Sequence, residues 1–180
     1  MKTILLHCCC APCSSAILEW MINNDIRPVL YYCNPNIFPE EEYLIRKNEI
    51  TKYATKLGID FYDDDYNHNE WLDRVAGLEK EPERGLRCLE CFKMRLLRTA
   101  EKCKLLGIDT FTTTLASSRW KSLNQINEAG RWAAEQVGGI RFEDRNWRKG
   151  GLQQRRNELL KENAFYNQLY CGCEFSMRNH

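Results

Sequence analysis

Apolar positions along the chain alternate between two spacings. Short continuous runs rich in β-branched and aromatic residues read as strands: Thr3-Ile4-Leu5-Leu6-His7, Pro28-Val29-Leu30-Tyr31-Tyr32-Cys33, the weaker Ile59-Asp60-Phe61-Tyr62, Asp109 to Leu115, and Ile140-Arg141-Phe142-Glu143. Between them the apolar residues recur at helical spacing. Ile17, Leu18, Met21 and Ile22 follow Ala11-Pro12-Cys13-Ser14-Ser15, whose proline and serines suit a first helical turn. A long helix opens at Pro39-Glu40-Glu41-Glu42, carries Tyr43, Leu44, Ile50, Tyr53, Ala54 and Leu57, and stops at Gly58. Its acids at the start and Lys52 and Lys56 at the end complement the helix dipole. Further helical patterns run from Glu70 to Leu78, from Cys88 to Leu106 and from about Leu123 to Val137.

Strands alternating with helices predict an α/β fold: a mainly parallel open sheet with helices on both faces, of the HUP or Rossmann-like kind. The 180 residues, 43% of them hydrophobic, support one core, and no linker or repeat divides them, so residues 1–180 are read as one domain. Ligands in such a sheet gather beyond the carboxyl ends of the strands. The cysteines after the first strand, Asn34, Ser117-Ser118 and Asp144 all follow predicted strands and can share one crevice.

Cysteine usage changes the picture most. The chain has ten, and apart from Cys33 and Cys103 they fall in three groups: Cys8, Cys9, Cys10 and Cys13; Cys88 and Cys91; Cys171 and Cys173. The first residues are too short an apolar stretch for a signal-peptide core, and no run reaches the roughly 20 residues of a membrane span. The expectation is a cytoplasmic protein with no membrane partner, where grouped thiols favour metal or redox chemistry over disulfides. Cys88-Leu89-Glu90-Cys91 presents two sulfurs on one side of a helical first turn, and Cys171-Gly172-Cys173 adds two more around a permissive glycine. Such a set holds either tetrahedral zinc or an iron–sulfur cubane, and the Cys-X-Cys pair tilts the reading towards the cluster. In the first group, the following helix N-terminus stabilises thiolates. Cys10-Ala11-Pro12-Cys13 also has the redox Cys-X-X-Cys form, so a thiol–disulfide oxidoreductase using Cys10 and Cys13 is one rival; a zinc-stabilised RNA-binding module is the other. Cys33 and Cys103 read as buried apolar fillers. A phosphate-cradling Ser-Gly-Gly loop after the first strand is absent, which disfavours nucleotide hydrolysis.

Net charge is +1, but it is unevenly spread: seven Lys/Arg against three acids between Arg141 and Lys161, and six acids with no Lys/Arg between Asp60 and Asp73. The asymmetry permits a basic face for a polyanion, or simply solvated helices.

Five stretches, in order along nearly the whole chain, resemble the cobalamin-independent epoxyqueuosine reductases of the QueH type. They are Leu5 to Ser14 (LLHCCCAPCS), Tyr32 to Tyr43 (YCNPNIFPEEEY), Arg87 to Leu96 (RCLECFKMRL), Phe111 to Leu115 (FTTTL) and Tyr170 to Ser176 (YCGCEFS). The resemblance implies reduction of epoxyqueuosine to queuosine at the tRNA wobble position, with the epoxide oxygen leaving as water. It implies a [4Fe–4S] cluster on Cys88, Cys91, Cys171 and Cys173, and an additional mononuclear iron at Cys9, Cys10 and Cys13; in the family position 13 is Cys or Asp. Cys8 is then a neighbour of that site, and Cys13 a catalytic residue. Asp144 is a candidate proton donor, with a surface ion pair as its plainer reading. The expected partners are tRNA and an electron donor that the motifs do not identify. Arg95, Arg98, Arg145, Arg148, Lys149, Arg155 and Arg156 are candidate phosphate contacts, and Trp147 or Tyr32 a candidate stacking surface for a splayed base.

Overall fold

The computed structural model describes residues 1–177. Its sheet is all parallel: β1 (Lys2–Cys8), β2 (Ile26–Tyr32), β3 (Phe61–Asp63), β4 (Thr110–Thr113) and β5 (Arg141–Phe142) lie in the order β3-β2-β1-β4-β5. Six α-helices connect and flank them: α1 (Ala11–Asn23), α2 (Glu40–Leu57), α3 (His68–Arg74), α4 (Leu86–Leu105), α5 (Leu123–Val137) and α6 (Leu152–Glu162).

Successive side chains of β1 point to opposite faces, and that alternation divides the core. Ile4, Leu6 and Cys8 join Ile17, Leu18 and Met21 of α1 and Tyr43, Ile50 and Tyr53 of α2 on one face. Leu5 joins Phe92, Leu96 and Ala100 of α4 and Ile126, Ala129 and Ala133 of α5 on the other. The central strand is buried on both sides, which is why it reads as a continuous apolar run.

Three elements differ from the sequence pattern. The strand expected over 109–115 ends at Thr113, where the chain tightens into a 3-10 turn, Thr114–Ser117. The helix expected from Glu70 begins earlier, because the Asn67 side chain accepts the Glu70 N–H and caps it. Helix α6 has no counterpart in the expectation, since Leu159 is its one buried residue and its sequence is mostly polar.

At the sheet's far edge α5 approaches β5 closely. A Cβ built on Gly130 would lie 2.4 Å from the Phe142 ring. Gly130→Val is therefore expected to overpack this contact by about 1–3 kcal/mol, lowering Tm by roughly 2–10 °C in a thermal melt. An unchanged Tm would mean that β5 yields freely.

Strand order reverses between β1 and β4, whose connections leave in opposite directions, so a crevice opens beyond their carboxyl ends. That is where β1 delivers Cys8, Cys9 and Cys10 and where the turn after β4 begins.

Candidate metal centre and cavity

The first thiol group is set by the junction of β1 and α1. Cys10, in extended conformation, is the N-cap of α1, and its Sγ accepts the Cys13 N–H at 3.4 Å. One helical turn thus brings Cys13 back beneath Cys10. Cys9 Sγ lies 3.7 Å from Cys10 Sγ and 3.6 Å from Thr114 Oγ1. The Cys9, Cys10 and Cys13 sulfurs all lie within 4.8 Å of one another, a separation one metal ion can span. Hydrogen bonds from Cys10 and then Cys13 hold the Cys9 thiol well below its ordinary pKa, and the Lys121 and Arg95 charges add to this against the cost of burial. Cys8 is not part of the trio: its side chain sits in the core and donates to the Tyr31 carbonyl at 3.5 Å.

The second group assembles from both ends of the chain. Cys88 and Cys91 lie in the first turns of α4. Arg46 carries Cys171 and Cys173 to them: its guanidinium donates to the Cys171 carbonyl at 2.9 Å and the Tyr170 carbonyl at 3.1 Å, while Glu42 holds it in place. The Phe38 N–H donates to the Gly172 carbonyl at 2.9 Å, closing the terminal segment over the loop that follows β2. Gly172 has φ +136°, and a Cβ there would lie 3.0 Å from Ile37, so the residue between the two cysteines must be glycine. Cys91 and Cys173 then pack with Trp71 and Val75. Burial pushes the Cys88, Cys91 and Cys173 thiols up in pKa, and proximity to Cys171 adds to it in each case.

These four cysteines influence one another, yet no three of them lie as close together as the first trio does. A single zinc ion would draw its sulfurs to about 3.8 Å from one another, given Zn–S bonds of about 2.3 Å. Four buried thiols set wider than that fit a cubane, with its larger cage, better than one ion.

Arg95 links the two groups. Fully buried, it donates to Asn34 Oδ1 and, at 3.8 Å, to Cys91 Sγ, while Asn34 Nδ2 donates to the Cys8 carbonyl at 2.9 Å. His7 stiffens the same strand ends, bonding Thr113 Oγ1 at 2.8 Å and the Cys33 carbonyl at 2.9 Å. Burial, with the Arg95 charge behind it, lowers its pKa to about 3, so the ring is neutral and bridges β1 to β4 and β2.

A cavity of about 250 Å³ opens between the groups, with Cys9 and Cys13 of the first and Cys171 of the second on its wall. Arg119, Lys121 and Arg156 also line it, and no carboxylate does. Lys121 is only 8% exposed. Burial works against its charge, yet Cys171, Cys9 and Cys13 outweigh that and hold the amine above its ordinary pKa. A larger open cleft, about 490 Å³, lies at the opposite end of the sheet against Lys2, Thr3 and Leu106–Asp109 and contains no cysteine.

The basic and aromatic residues singled out in the sequence are mostly used internally. Arg95 is buried; Arg98 pairs with Asp64 and Glu70; Arg155 pairs with Glu19, Glu158 and Glu162. Arg145 stacks over Trp20 and Trp147 and pairs with Glu143, and Trp147 itself is 2% exposed. Tyr32 is wholly buried and donates to the Tyr43 carbonyl. Asp144 lies on the surface, ion-paired to Arg131, and does not line the cavity. Arg148 grips the carbonyls of Ser118 and Lys121. Lys149 is exposed, and of this set Arg156 lines the cavity. Cys33 and Cys103 are buried, donating to Asp64 and to the Ile108 carbonyl. Sequence reasoning missed Lys121, Arg119 and Trp120, although their loop follows a strand beside the reversal of strand order, the signal that had marked Ser117-Ser118.

The fold and site together define a class: a parallel α/β protein whose strand ends present a thiol cluster fit for a metal ion. The chain belongs to the epoxyqueuosine reductase QueH family, whose model matches residues 4–179. It is 48% identical over 176 residues to the epoxyqueuosine reductase QueH of Haemophilus influenzae, covering 98% of this chain and 72% of that one. To the QueH of Acinetobacter baylyi it is 44% identical over 176 residues (98% and 81% covered), and to that of Thermotoga maritima 34% over 180 residues (98% and 91%). Among solved structures, a predicted subunit of a tRNA methyltransferase from Methanocaldococcus jannaschii shares the fold, with a TM-score of 0.57 at 13% identity over 92% of this chain and 93% of that one. Among the described residues, no helix is long and apolar enough to cross a membrane.

Proposed function

We propose that this chain reduces the epoxide of epoxyqueuosine, at the wobble position of tRNA, to the cyclopentene of queuosine. In this reading Cys88, Cys91, Cys171 and Cys173 hold a [4Fe–4S] cluster, and Cys9, Cys10 and Cys13 hold a mononuclear iron. One observation carries it: thiols of both groups meet on the wall of a single cavity, in a chain of the QueH family.

Turning an epoxide into an alkene consumes two electrons and two protons and releases water. When bound, the cluster would supply electrons singly and the iron Lewis-acid polarisation of the epoxide oxygen. The rest falls to the chain's own side chains. Lys121 and Arg95 offset the charge of gathered thiolates. Lys121 also places a buried positive charge on the cavity wall, where it lowers the cost of charge building on a departing oxygen. Arg156 and exposed Lys149 remain available to phosphates. A separate electron donor completes the cycle, which belongs in the cytoplasm, where tRNA is found and thiols stay reduced.

The test is a single-turnover reaction. Anaerobically purified, dithionite-reduced protein is mixed with tRNA carrying epoxyqueuosine, and the RNA is digested to nucleosides for mass analysis. The expected product is lighter by one oxygen; unchanged epoxyqueuosine with fully loaded protein would sink the assignment.

A further inference from the structure

We propose that Trp120 is the platform on which the wobble nucleobase stacks as its epoxide-bearing arm enters the cavity, with Arg119 and Arg156 taking the flanking phosphates. This rests on the tRNA reading above and goes beyond it by naming the recognition surface.

The candidates for stacking are few. Of the five tryptophans, Trp71 is 0% and Trp147 2% exposed. Trp20 packs edge-on against Trp147, and the Lys93 ammonium sits over Trp132. Phe38 stacks on His68, and Tyr62 lies at the opposite end of the sheet, beside the cysteine-free cleft. Trp120 is 41% exposed and lines the cavity that holds Cys9, Cys13 and Cys171. A base whose arm reaches those thiols therefore meets this indole at the rim.

The segment bearing it is held unusually firmly for a surface loop. Every carbonyl from Ser117 to Lys121 accepts a side-chain donor. Gln153 takes Ser117 at 2.8 Å, Arg148 takes Ser118 and Lys121, and Arg84 takes Arg119 and, at 3.2 Å, Trp120. The Trp120 N–H in turn donates to Ser118 Oγ at 3.2 Å. A large ring on an already ordered backbone costs little entropy to engage. Charge points the same way: Arg119 and Arg156 flank the ring, and no carboxylate on the cavity wall repels a phosphodiester.

The test uses the loaded enzyme and an anticodon stem-loop carrying epoxyqueuosine, with Kd measured by fluorescence anisotropy across a salt series. Iron and sulfide are quantified in each variant to show that the thiol sites are intact. Trp120→Ala is expected to raise Kd by about ten- to a hundredfold, the scale of one lost base–aromatic stack, with an unchanged salt slope. Trp120→Phe keeps a π-face and should stay within about threefold of wild type. Arg119→Ala and Arg156→Ala should each flatten the salt slope by about 0.7, one phosphate contact on a single strand. Wild-type affinity in Trp120→Ala, while the wild-type enzyme binds and deoxygenates the RNA, overturns this inference alone. So does an equal loss in Trp120→Phe. A loaded wild type that neither binds nor deoxygenates the RNA overturns the reductase reading and the inference with it.

Discussion

Cys91→Ser and Cys173→Ser each lose acid-labile sulfide and epoxyqueuosine reduction together, the turnover falling to background. Both sulfurs are buried, at 6% and 7% exposure, against Trp71 and Val75. Serine nearly matches cysteine in volume, so the small core between α3 and α4 keeps its packing. What it removes is the soft thiolate donor on which iron–sulfur ligation depends. The trio of Cys9, Cys10 and Cys13 is held by different elements, the end of β1 and the N-terminus of α1, and should retain an iron in both variants. Cys103→Ser is the matched control. It removes a buried thiol from the same helix α4, far along from Cys91 and bonded only to the Ile108 carbonyl, and should keep full sulfide and full activity. Sulfide and turnover retained in Cys91→Ser would remove Cys91 from the ligand set.

Replacing Arg95 by methionine is expected to penalise the metal-loaded protein far more than the stripped one. With neutral thiols around it, a fully buried guanidinium carries a desolvation cost, and an apolar residue of similar length can replace it at little loss. Once Cys91 and its neighbours are deprotonated, the same cation offsets buried negative charge, and a hydrogen bond to a charged group contributes about 1.5–3 kcal/mol. The Arg95 guanidinium faces Cys91, Cys9 and Cys171 together, so its removal bears on both thiol groups. In paired melts of stripped and loaded protein, the variant should lose roughly 3–12 °C of the stabilisation that loading gives wild type, with a much smaller change when stripped. Equal drops in both forms would make Arg95 a simple structural tie to Asn34.

The fold was legible where one pattern dominated. β1 and β2 are buried on both faces and read as apolar runs, and α2 and α5 match their expected spans because end signals such as Gly58 and Gly138 agree with the periodicity. Helix α6 was invisible because it rests on α1 through Leu159 and an ion-pair network centred on Arg155 rather than through an apolar stripe. The cysteine groups stood out because close spacing is itself the signal. Which cations face RNA could not be read in the same way: an arginine in a sequence looks alike whether it meets phosphate, a carboxylate, an aromatic ring or a backbone carbonyl. Arg98, Arg145 and Arg148 turned out to be each of the last three. Lys121 and Trp120 drew no notice for the converse reason, since only the brace by Arg84 and Arg148 brings their loop to the cavity mouth.

The two-site arrangement is the central claim, and metal content tests it most directly. Protein purified without oxygen should contain about four acid-labile sulfides and about five irons per chain, and should give a reduced-cubane EPR signal after dithionite. Stoichiometric zinc with no sulfide, bound by the Cys88, Cys91, Cys171 and Cys173 group, would contradict it.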